Sequence, residues 1–514
     1  MHREPPPLPD EIELKLSVAP AHAARVWKTA AICAGGRIEP SARKLFSAYY
    51  DTTDFAFRRG GAAVRLRRES GRWMQTVKVG GGAAAGLHAR RELECAIPAQ
   101  LLNYSSLVEA GLGETLADES QRRAIGVVFT TVFRRSRALI EPSSGNRIEV
   151  TLDRGEIAAG GRRLPICEIE LELKSGETRA LFRLAKELAA ELPVRLQNDS
   201  KAERGYRLAA GEADRPVKAG ASGLARDMDV DAAFAEVVSS CLRHLQANER
   251  GVLETEDPEY LHQARVALRR LRCAFGAFSG AVPGIFFQAQ LAGLRQVAQT
   301  LGQARDLDVF LTETLEAAGR GDRPDELGLL ERRTLASARR ARKAARSAIR
   351  APAYTSLMLD LAEALSGRTW VAARDDDQIR CARRPLTEFC AGMLAQRDRK
   401  ARKRGNGMDR SDPDALHRLR IELKKLRYAC EFFAPLYPRK MSHEYLKRLT
   451  ALQETLGNLN DCAVASRLLL AAGPRRTGYL RGYLAAQRDR QLEALARSWP
   501  RFERVRPFWY QEER

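Results

Sequence analysis

The sequence predicts an α+β protein of at least two domains, in which an antiparallel β barrel precedes an all-α helical bundle. Three observations predict this fold class. Apolar residues recur with a period near two up to about position 210, the period becomes helical beyond about position 228, and paired motifs recur within the helical part. A chain of 514 residues is also long enough to bury more than one core.

Eight stretches of the first half have the alternation and the Gly, Pro or Asp boundaries that are typical of strands. They are 10–18, 43–50, 62–69, 72–79, 89–97, 130–140, 146–153 and 165–174. Helical periodicity occurs near 20–34, 101–111, 119–125 and 178–191. Many antiparallel strands at short spacing, with few helices, favour a closed or nearly closed barrel.

Charged side chains alternate with apolar ones on several of these strands. Because alternate side chains of a strand share a face, Glu11, Glu13 and Lys15 lie together on one face of the first strand. Other strands carry charge in the same alternating way, at Arg65 and Arg67, at Arg135 and Arg137, and at Glu168, Glu170, Glu172 and Lys174. A sheet face with both signs of charge indicates a cavity lined for a metal ion and a highly anionic ligand.

The bulk composition narrows the classes of partner and of location. A net charge of +21 at pH 7 makes polyanions the expected partners, without separating nucleic acid from phosphate polymers. The nine cysteines include no C-x-x-C pair, which predicts reduced thiols and neither a zinc site nor a disulfide framework. Residues 1–7 lack the apolar core of a signal peptide, and no apolar run has the length of a membrane span. We therefore expect a cytoplasmic protein without a membrane segment.

The helical half contains an internal repeat. The motif His262-x-x-Arg265-x-x-x-Arg269-Arg270-x-Arg272 returns as His417-x-x-Arg420-x-x-x-Lys424-Lys425-x-Arg427. The segment Leu301-Gly302-x-x-x-Asp306 returns as Leu456-Gly457-x-x-x-Asp461. Both motifs return at an offset of 155 residues, which predicts two copies of one helical unit related by a pseudo-twofold axis.

The predicted domain boundaries follow from these changes in pattern. We expect a β domain at 1–210, a linker at 211–227 and a helical domain at 228–510, with repeats near 228–350 and 380–510. The linker begins with a short polar segment that is rich in glycine.

Each repeated motif forms a basic stripe on its helix. At 100° per residue the stripe is roughly 80° wide, and in the first copy its members are His262, Arg265, Arg269 and Arg272. Leucines occupy the opposite side, so the stripe offers a polyanion several donors in a row. A solvated surface is the alternative, although a histidine heads both stripes. Nucleic acid fits less well, because few aromatic residues interleave with the basic ones.

On these motifs, residues 228–510 resemble a CHAD domain, a helical family recognised by such paired basic helices and Leu-Gly-x-x-x-Asp segments. The resemblance implies a twofold-repeated bundle that binds inorganic polyphosphate and has no chemistry of its own. The polyphosphate-binding residues that it implies are His262, Arg265, Arg269, Arg270, Arg272, His417, Arg420, Lys424, Lys425 and Arg427. The second copy has lysines for one arginine pair and Asn460 in the place of Arg305, so we expect unequal contributions from the two copies.

A second set of motifs spans the first half. They are Glu11-x-Glu13-x-Lys15, Tyr50-Asp51-Thr52, Arg65-x-Arg67, Thr76-Val77-Lys78, Gly86-Leu87-His88-x-Arg90-x-Glu92, Thr131-x-Phe133-x-Arg135, Glu149-x-x-x-Asp153-x-Gly155, Glu168-x-Glu170-x-Glu172 and Ser200-Lys201-x-x-Arg204-Gly205-Tyr206. On them, residues 10–208 resemble a CYTH domain, the triphosphate tunnel metalloenzyme family. The resemblance implies an eight-stranded antiparallel tunnel and metal-dependent hydrolysis or transfer at a triphosphate group.

The charged positions suit the roles that a triphosphate requires. A triphosphate carries about four negative charges, so its binding needs clustered cations, for which the candidates are Lys15, Arg65, Arg67, Lys78, Arg90, Arg135, Arg137 and Lys201. Mg²⁺ or Mn²⁺ prefers oxygen ligands. The preferred metal ligands are Glu11, Glu13, Glu168 and Glu170, with Glu149, Asp153 and Glu172 as alternates. The candidate catalytic residues are Glu13 or Glu170, to position or deprotonate water, with Lys15 and Arg67.

Together the two resemblances imply an inorganic triphosphatase that also binds long-chain polyphosphate, with association to polyphosphate granules as a further expectation. Thiamine or nucleoside triphosphate hydrolysis and adenylate cyclisation of the class IV type are alternative reactions for the same tunnel. No feature of the sequence indicates recognition of a base or of a thiazole ring. A non-catalytic polyphosphate-binding scaffold is the alternative from a different class, and the complete set of candidate metal ligands argues against it.

Overall fold

The computed structural model describes residues 11–34, 36–38, 43–69, 71–84, 86–143, 145–320, 324–472 and 477–510. The chain divides into two compact units. The first contains Met1–Arg215 and Arg350–Gly367, and the second contains Pro216–Ile349 and Arg368–Arg514. The first ten residues, where a signal peptide was not expected, lie outside the described part of the chain.

One antiparallel sheet forms the body of the first unit. Its strands are β1 (Glu11–Ser17), β2 (Gly36–Ile38), β3 (Arg43–Asp51), β4 (Ala62–Glu69), β5 (Arg72–Ala84), β6 (Leu87–Ile97), β7 (Gly126–Ser143), β8 (Asn146–Ala159), β9 (Arg162–Ser175) and β10 (Arg195–Leu196). The order is β1-β6-β5-β4-β3-β7-β8-β9, and β9 pairs again with β1. This pairing closes an eight-stranded antiparallel barrel and confirms the predicted fold class.

All eight predicted strands are strands of the closed barrel. The two short strands were not predicted: β2 pairs with β7, and β10 pairs with β1. They have only three and two residues, too few for a period to be visible in the sequence.

Short helices and one long helix accompany the barrel. They are α1 (Ala30–Cys33), α2 (Ala56–Arg59), α3 (Tyr104–Leu107), α4 (Gly113–Ala117), α5 (Glu119–Arg123), α6 (Thr178–Glu191) and α7 (Lys201–Ala210), with a 3-10 segment at Pro20–Lys28 and a π turn at Val108–Leu112. The helix predicted at 20–34 is divided at Thr29, whose backbone is extended. The helix predicted at 178–191 is α6, and α7 was not predicted.

On β1 and β9 the apolar side chains point to the outside of the barrel. Leu14, Leu16 and Leu171 are fully buried, and α6 covers this outer face with residues such as Leu181 and Leu188. Because successive side chains of a strand point to opposite faces, burying the apolar set under α6 directs the charged set into the barrel. The alternation that is visible in the sequence therefore produces a charged interior.

The second unit is helical. Its helices are α8 (Val230–Glu254), α9 (Pro258–Ala277), α10 (Gln288–Val309), α11 (Glu316–Ala318), α12 (Asp325–Arg350), α14 (Asp376–Ala382), α15 (Leu386–Gly405), α16 (Pro413–Phe433), α17 (Arg439–Ala472) and α18 (Gly478–Glu503), with a π segment at Phe310–Leu315 and 3-10 turns at Thr369–Ala373 and Ala434–Leu436. Helices α9 and α16 begin 155 residues apart, at Pro258 and Pro413, as the repeated motifs predict.

Aromatic contacts form part of the core of the second unit. Phe234 lies edge-on to Phe275, Phe278, Phe287 and Trp370, with ring centroids 5.0 to 5.9 Å apart. Such geometry adds to the burial energy of the rings. The leucines opposite the basic stripes are also buried, as the helical period predicts: Leu261, Leu268, Leu271, Leu416, Leu423 and Leu426.

The expected linker is irregular but contacts the second unit. The backbone N–H of Val217 donates to Oδ1 of Asn248 at 3.0 Å, and Asn248 returns a hydrogen bond to the carbonyl of Val217. The hydroxyl of Ser222 donates to the carbonyl of Phe432. Residues from Pro216 onward therefore belong to the second unit and not to a free tether.

Helix α13 (Pro352–Gly367) belongs to the first unit, although the expected boundary at 228–510 includes it. Lys186 of α6 lies 2.5 Å from Asp360 and 2.7 Å from Glu363. The hydroxyl of Thr355 donates to the carbonyl of Val194 at 3.0 Å. The segment between the two expected repeats thus serves the barrel, a role that its own helical period does not reveal.

Candidate active site and polyanion surface

The closed barrel surrounds a cavity of about 390 Å³ whose lining is mostly charged. All eight predicted substrate-binding cations line it: Lys15, Arg65, Arg67, Lys78, Arg90, Arg135, Arg137 and Lys201. Of the preferred metal ligands, Glu11, Glu13 and Glu170 also line it. Glu168 lies behind this lining and is 1% exposed. The structure therefore brings together acidic and basic side chains from strands that are distant in the sequence.

Three carboxylates form an acidic cluster beside the cavity, of which Glu170 lines the cavity and the other two are buried. Oxygen atoms of Asp153, Glu168 and Glu170 lie within 4.8 Å of one another. The strand register explains this, because Asp153 of β8 pairs with Glu168 of β9, and Glu170 follows two residues later on the same face. Asp153 was named only as an alternate ligand, whereas Glu11 and Glu13 lie outside this three-residue cluster.

Lys201 and Arg204 provide cations to the cluster. The Lys201 Nζ atom lies 2.6 Å from Asp153, 2.5 Å from Glu168 and 2.9 Å from Glu170. The Arg204 guanidinium forms an ion pair with Glu168. Burial alone would lower the pKa of Lys201. The carboxylates of Asp153 and Glu168 have the larger combined effect and raise this pKa above its usual value. Lys201 therefore stays charged within the cluster.

Lys15 connects this cluster to β1. Its Nζ atom lies 2.7 Å from Glu13 and forms an ion pair with Glu170, which is the register partner of Lys15 on β9. Burial alone would lower the pKa of Lys15, but Glu13 and Glu170 raise it well above its usual value. Burial would likewise raise the pKa of Glu170, but Lys15 and Lys201 hold it well below the usual range. Both groups stay ionised at neutral pH.

Arg135 is held in a forked geometry by two carboxylates. Its Nε and Nη2 atoms donate to Asp153 at 2.7 and 2.6 Å, and Nη2 also reaches Glu170 at 2.6 Å. The Phe133 ring lies beneath, with the guanidinium carbon of Arg135 at 5.6 Å and Nζ of Lys201 at 5.1 Å from its centroid. A cation over an aromatic face is attracted by the ring quadrupole, so Phe133 supports this group of cations from one side.

Arg67 is the most strongly destabilised cation of the cavity wall. It is 8% exposed, and its Nε atom donates to Ser47 at 3.1 Å. Burial, together with the neighbouring charges of Arg65 and Arg135, lowers the pKa of Arg67 to about 9. Burial is the largest cause of this shift, and repulsion from Arg65 and Arg135 adds to it. An anionic group that enters the cavity beside Arg67 relieves this repulsion.

A second group of charges lies where β1, β5 and β6 meet. Lys78 Nζ is 2.5 Å from Glu11 and 3.1 Å from Glu92. Arg65 lies 3.7 Å from Glu92 and 3.9 Å from Glu94. Glu11 is therefore paired with a lysine on this side and does not contact the cluster around Asp153.

Several residues of the cavity wall had no predicted role. Arg43, Tyr49, Glu69, Thr76, Glu92, Glu94 and Ser200 line the cavity, and Arg204 supports it from behind. The strand period could have found Glu92 and Glu94, because they share the face of Arg90. Arg204 directly follows the capping box formed by Ser200 and Glu203. This capping box is a helix signal that is present in the sequence.

His88 is buried beside the charged wall, as expected for a structural histidine. It is 1% exposed, and its Nε2 atom lies 3.1 Å from the carbonyl oxygen of Gln197. Burial and the charge of Lys15 lower the pKa of His88 to about 4. The ring is therefore neutral at physiological pH.

In the second unit, the two basic stripes influence one another electrostatically across the repeat. Lys424 of α16 experiences repulsion from Arg269 of α9 and from Arg420 of its own helix. Burial and these two charges lower the pKa of Lys424 to about 6. Burial is the largest cause of this shift, the neighbouring arginines add to it, and Asp461 opposes it. Four predicted residues meet there: Arg265, Arg269, Arg420 and Lys424.

The heads of the two stripes differ. Burial and the positive charge of Arg305 lower the pKa of His262 to about 4. In the second copy, Nδ1 of the exposed His417 lies 3.3 Å from Oδ1 of Asn460, the residue that replaces Arg305. The first copy therefore holds one more cation near its histidine than the second, as the sequence difference predicts.

Among the predicted polyphosphate-binding residues, Arg270 is buried and paired with a carboxylate. Its side chain is 5% exposed and forms an ion pair of 2.6 Å with Glu431, over the ring of Phe432. Two other members of the set have carboxylate partners, Lys425 with Glu422 at 3.2 Å and Arg427 with Glu431 at 3.1 Å. Arg272 is exposed.

Two domain families match this chain. Residues 10–206 match the CYTH domain, and residues 236–470 match the CHAD domain. The chain is a CYTH–CHAD protein. The closed eight-stranded barrel and the repeated helical unit agree with these two matches, and the two resemblances drawn from the sequence motifs are confirmed.

Three similar proteins illustrate the relationship. The chain is 33% identical over 199 residues to an inorganic triphosphatase of Haemophilus influenzae. The aligned region is 38% of this chain and 54% of that relative, so the chain spans about half the length of the relative. The crystal structure of the CHAD domain from Ricinus communis is 35% identical, covering 57% of this chain and 98% of that one at a TM-score of 0.49. A Hippeastrum protein with a dominant triphosphatase activity is 17% identical. The match covers 40% of this chain and 97% of that one at a TM-score of 0.28.

Among the described residues, no helix combines the length and the apolar character that a bilayer crossing requires.

Proposed function

We propose that the CYTH domain is a metal-dependent inorganic triphosphatase, which hydrolyses tripolyphosphate to pyrophosphate and phosphate inside the barrel. The carrying observation is the cavity of about 390 Å³, which eight predicted cations line and beside which three carboxylates cluster. The CYTH match and the triphosphatase relative support a hydrolase that acts on phosphoanhydride bonds.

The composition of the cavity wall favours a substrate that consists of phosphoryl groups alone. The lining residues are charged almost throughout, which suits a ligand of about four negative charges with no base, sugar or ring to recognise. Arg67, with its local excess of positive charge, is the strongest candidate to contact the phosphate chain. Lys15 and Lys201 provide further donors beside the carboxylates.

The carboxylates fit a divalent cation. CYTH triphosphatases depend on divalent cations in general, and carboxylate oxygens are the ligands that Mg²⁺ or Mn²⁺ prefers. Glu168 and Glu170 would hold the ion together with Asp153, while Glu11 and Glu13 remain the other predicted ligands. When bound, such an ion would neutralise phosphate oxygens and polarise the scissile bond.

The chain's own groups account for the positioning of water and for charge stabilisation. Because the pKa of Glu170 lies well below the usual range, this carboxylate is a weak base that orients water by accepting its hydrogen bond. Glu13, on the other side of Lys15, is the alternative acceptor. The water oxygen bonds to the terminal phosphorus, the bond to the bridging oxygen breaks, and pyrophosphate leaves, while one proton of the water passes to a phosphate oxygen of the substrate. Arg67 and Lys15 stabilise the charge on the transferred group.

The CHAD domain is proposed to bind long-chain polyphosphate without chemistry of its own. The depressed pKa of Lys424 supports this, because a lysine between Arg269 and Arg420 regains its charge when phosphate oxygens approach. Binding to this surface would retain the chain on polyphosphate, and the expected cytoplasmic location and granule association stay predictions.

A substrate panel tests the proposed reaction. The full chain is assayed with Mg²⁺ or Mn²⁺ on tripolyphosphate, thiamine triphosphate and ATP, and phosphorus NMR identifies the products. The proposal expects the highest kcat/KM for tripolyphosphate, with phosphate and pyrophosphate in equal amounts. Preference for ATP or thiamine triphosphate, or formation of cyclic AMP, would overturn it in favour of another tunnel reaction.

A variant separates catalysis from binding. Glu13→Gln is expected to abolish turnover and to leave long-chain polyphosphate binding at the wild-type level. If the wild-type chain turns over no triphosphate with any metal and still binds polyphosphate, the chain is a binding scaffold.

A further inference from the structure

His88 lies on the strand next to the charged face of β1. It pairs with Glu13 in the register of β1 and β6, so the two side chains lie on the same face of the sheet. Unlike Glu13, His88 is absent from the residues that line the cavity and is 1% exposed. The ring therefore faces the barrel interior but is covered by its neighbours and does not line the cavity.

One nitrogen of this ring has a defined partner. Nε2 lies 3.1 Å from the carbonyl oxygen of Gln197, whereas Nδ1 has no hydrogen-bond partner among the described residues. Since a carbonyl oxygen only accepts, the contact assigns the proton to Nε2. His88 therefore donates a hydrogen bond to the backbone of the segment that follows β10.

Three further bonds connect the same segment to β1, one directly and two through Gly86. The N–H of Gln197 donates to the carbonyl of Lys15 at 2.9 Å, and the N–H of Lys15 donates to the carbonyl of Gly86 at 2.8 Å. The N–H of Gly86 donates to Oδ1 of Asn198 at 2.6 Å. A Cβ at Gly86 would lie 2.9 Å from the Lys15 carbonyl, so the approach is close. Together with His88, these bonds fix residues 197 and 198 relative to Lys15.

The fixed segment leads directly to Lys201. Ser200 caps helix α7, which begins at Lys201. Lys201 Nζ lies within 2.9 Å of Asp153, Glu168 and Glu170. A displacement of the segment would therefore move this amine within the carboxylate cluster.

We infer that His88 is a positioning residue, whose hydrogen bond to Gln197 holds the 197–200 segment so that Lys201 reaches the carboxylate cluster. The inference rests on the proposed function, which makes that carboxylate cluster part of the triphosphatase site. A histidine that only filled space would contribute to stability and would be independent of Lys201.

Two substitutions separate these roles. His88→Gln keeps an N–H donor near the position of Nε2, and His88→Leu keeps bulk and removes the donor. The full chain is titrated calorimetrically with tripolyphosphate in EDTA, where no turnover occurs, and kcat/KM is measured separately with Mg²⁺. We expect His88→Leu to lose about tenfold in both quantities, as residues that orient site groups from behind typically do, while His88→Gln stays within about threefold.

A double-mutant cycle with Lys201→Met decides the point. If His88 acts through Lys201, then adding His88→Leu to Lys201→Met causes no further loss of tripolyphosphate affinity. Additive losses would overturn the inference, as would a His88→Leu variant with wild-type affinity. His244→Leu is the matched control, because His244 is a buried histidine of the second unit with a hydrogen bond to Gln263 at 3.2 Å; it should leave tripolyphosphate affinity unchanged.

The two hypotheses fail separately. Absence of turnover in the wild type contradicts the proposed triphosphatase, while the binding cycle still tests His88. If His88→Leu does not fold, Asn198→Ala takes its place, because it releases the same segment by removing the bond to Gly86. Asn198→Ala must then weaken tripolyphosphate binding in the wild-type chain and cause no further loss of affinity in the Lys201→Met variant.

Discussion

Lys201 Nζ lies 2.6 Å from Oδ2 of Asp153, a carboxylate with no solvent exposure. The same aspartate accepts two hydrogen bonds from Arg135. Burial would raise the pKa of Asp153, but Arg135 and Lys201 lower it below its usual value. The acidic cluster of the barrel is therefore stabilised as a set of charges by the cations of β1, β7 and α7 that contact it.

Removing Asp153 should destabilise the first unit. Asp153→Ala leaves two cations without their buried partner, which typically costs about 3–5 kcal/mol. Thermal or urea unfolding followed on the full chain should show this loss in one transition. Glu156→Ala is the control: Glu156 is on the same strand but pairs with the exposed Arg163, so its loss should cost about 0.5 kcal/mol. Equal effects of the two substitutions would contradict this account of the cluster.

Arg67 should be required for substrate binding. Arg67→Met removes the cation with the local excess of positive charge, and we expect kcat/KM for tripolyphosphate to fall at least about 100-fold, or about 2.7 kcal/mol. Arg68 is the next residue of β4 and is exposed on the outer face, so Arg68→Met should remain within about twofold. Steady-state phosphate release measures both variants, and an unaffected Arg67→Met enzyme would exclude this residue from the site.

Two adjacent arginines of α9 should behave differently. Arg269 contributes to the positive pocket around Lys424, whereas Arg270 is buried against Glu431. Arg269→Met should weaken long-chain polyphosphate binding about tenfold with little change in stability. Arg270→Met should instead lower the unfolding temperature, because Glu431 loses a buried partner. Filter binding and thermal unfolding measure the two effects, and the reverse assignment would show that Arg270 contacts the polyanion.

The affinity of the CHAD domain for polyphosphate should fall as pH rises above neutral. Lys424 has a pKa of about 6 in the free protein, below its usual 10.5. Phosphate oxygens favour the charged form, so binding takes up a proton between these two values. By linkage, the affinity decreases by up to about tenfold per pH unit in the part of that window where proton uptake is complete. Lys424→Met should remove this dependence, and calorimetry in buffers of different ionisation enthalpy would count the protons.

The same shift has a consequence for stability. A lysine whose folded pKa lies below its unfolded pKa destabilises the fold below about pH 10.5. This loss of stability grows as the pH falls and is complete below about pH 6. Lys424→Met should therefore raise the unfolding temperature of the ligand-free chain at pH 7. A lower unfolding temperature would show that Lys424 is held by interactions that its pKa does not reflect.

The sequence predicted the barrel well because the signal is local. Glu11, Glu13 and Lys15 alternate with leucines and isoleucine on a single strand, and this period survives in the fold. Helix α7 was missed although Ser200 and Glu203 form a capping box, a local helix signal in the sequence. Strand β10 depends on pairing with β1 and has no local signal.

The membership of the carboxylate cluster could not be predicted, because it depends on strand register. Asp153 and Glu168 come together only through the pairing of β8 with β9, and Lys15 reaches Glu170 only because β9 returns to β1. Arg270 is a member of the predicted set that departs from the basic stripe. At 100° per residue, this arginine falls about 80° from His262 on the side away from Arg272, so the helical period already separates it from the basic stripe.

A crystal structure of the Glu13→Gln variant, which keeps the three carboxylates of the acidic cluster, soaked with tripolyphosphate and Mn²⁺ tests the central claim most directly. We predict that the phosphate chain lies inside the barrel in contact with Arg67, and that anomalous scattering places manganese within coordinating distance of the cavity carboxylates. Phosphate density confined to the α9 and α16 surface, with the barrel free of both phosphate and manganese, would contradict the account.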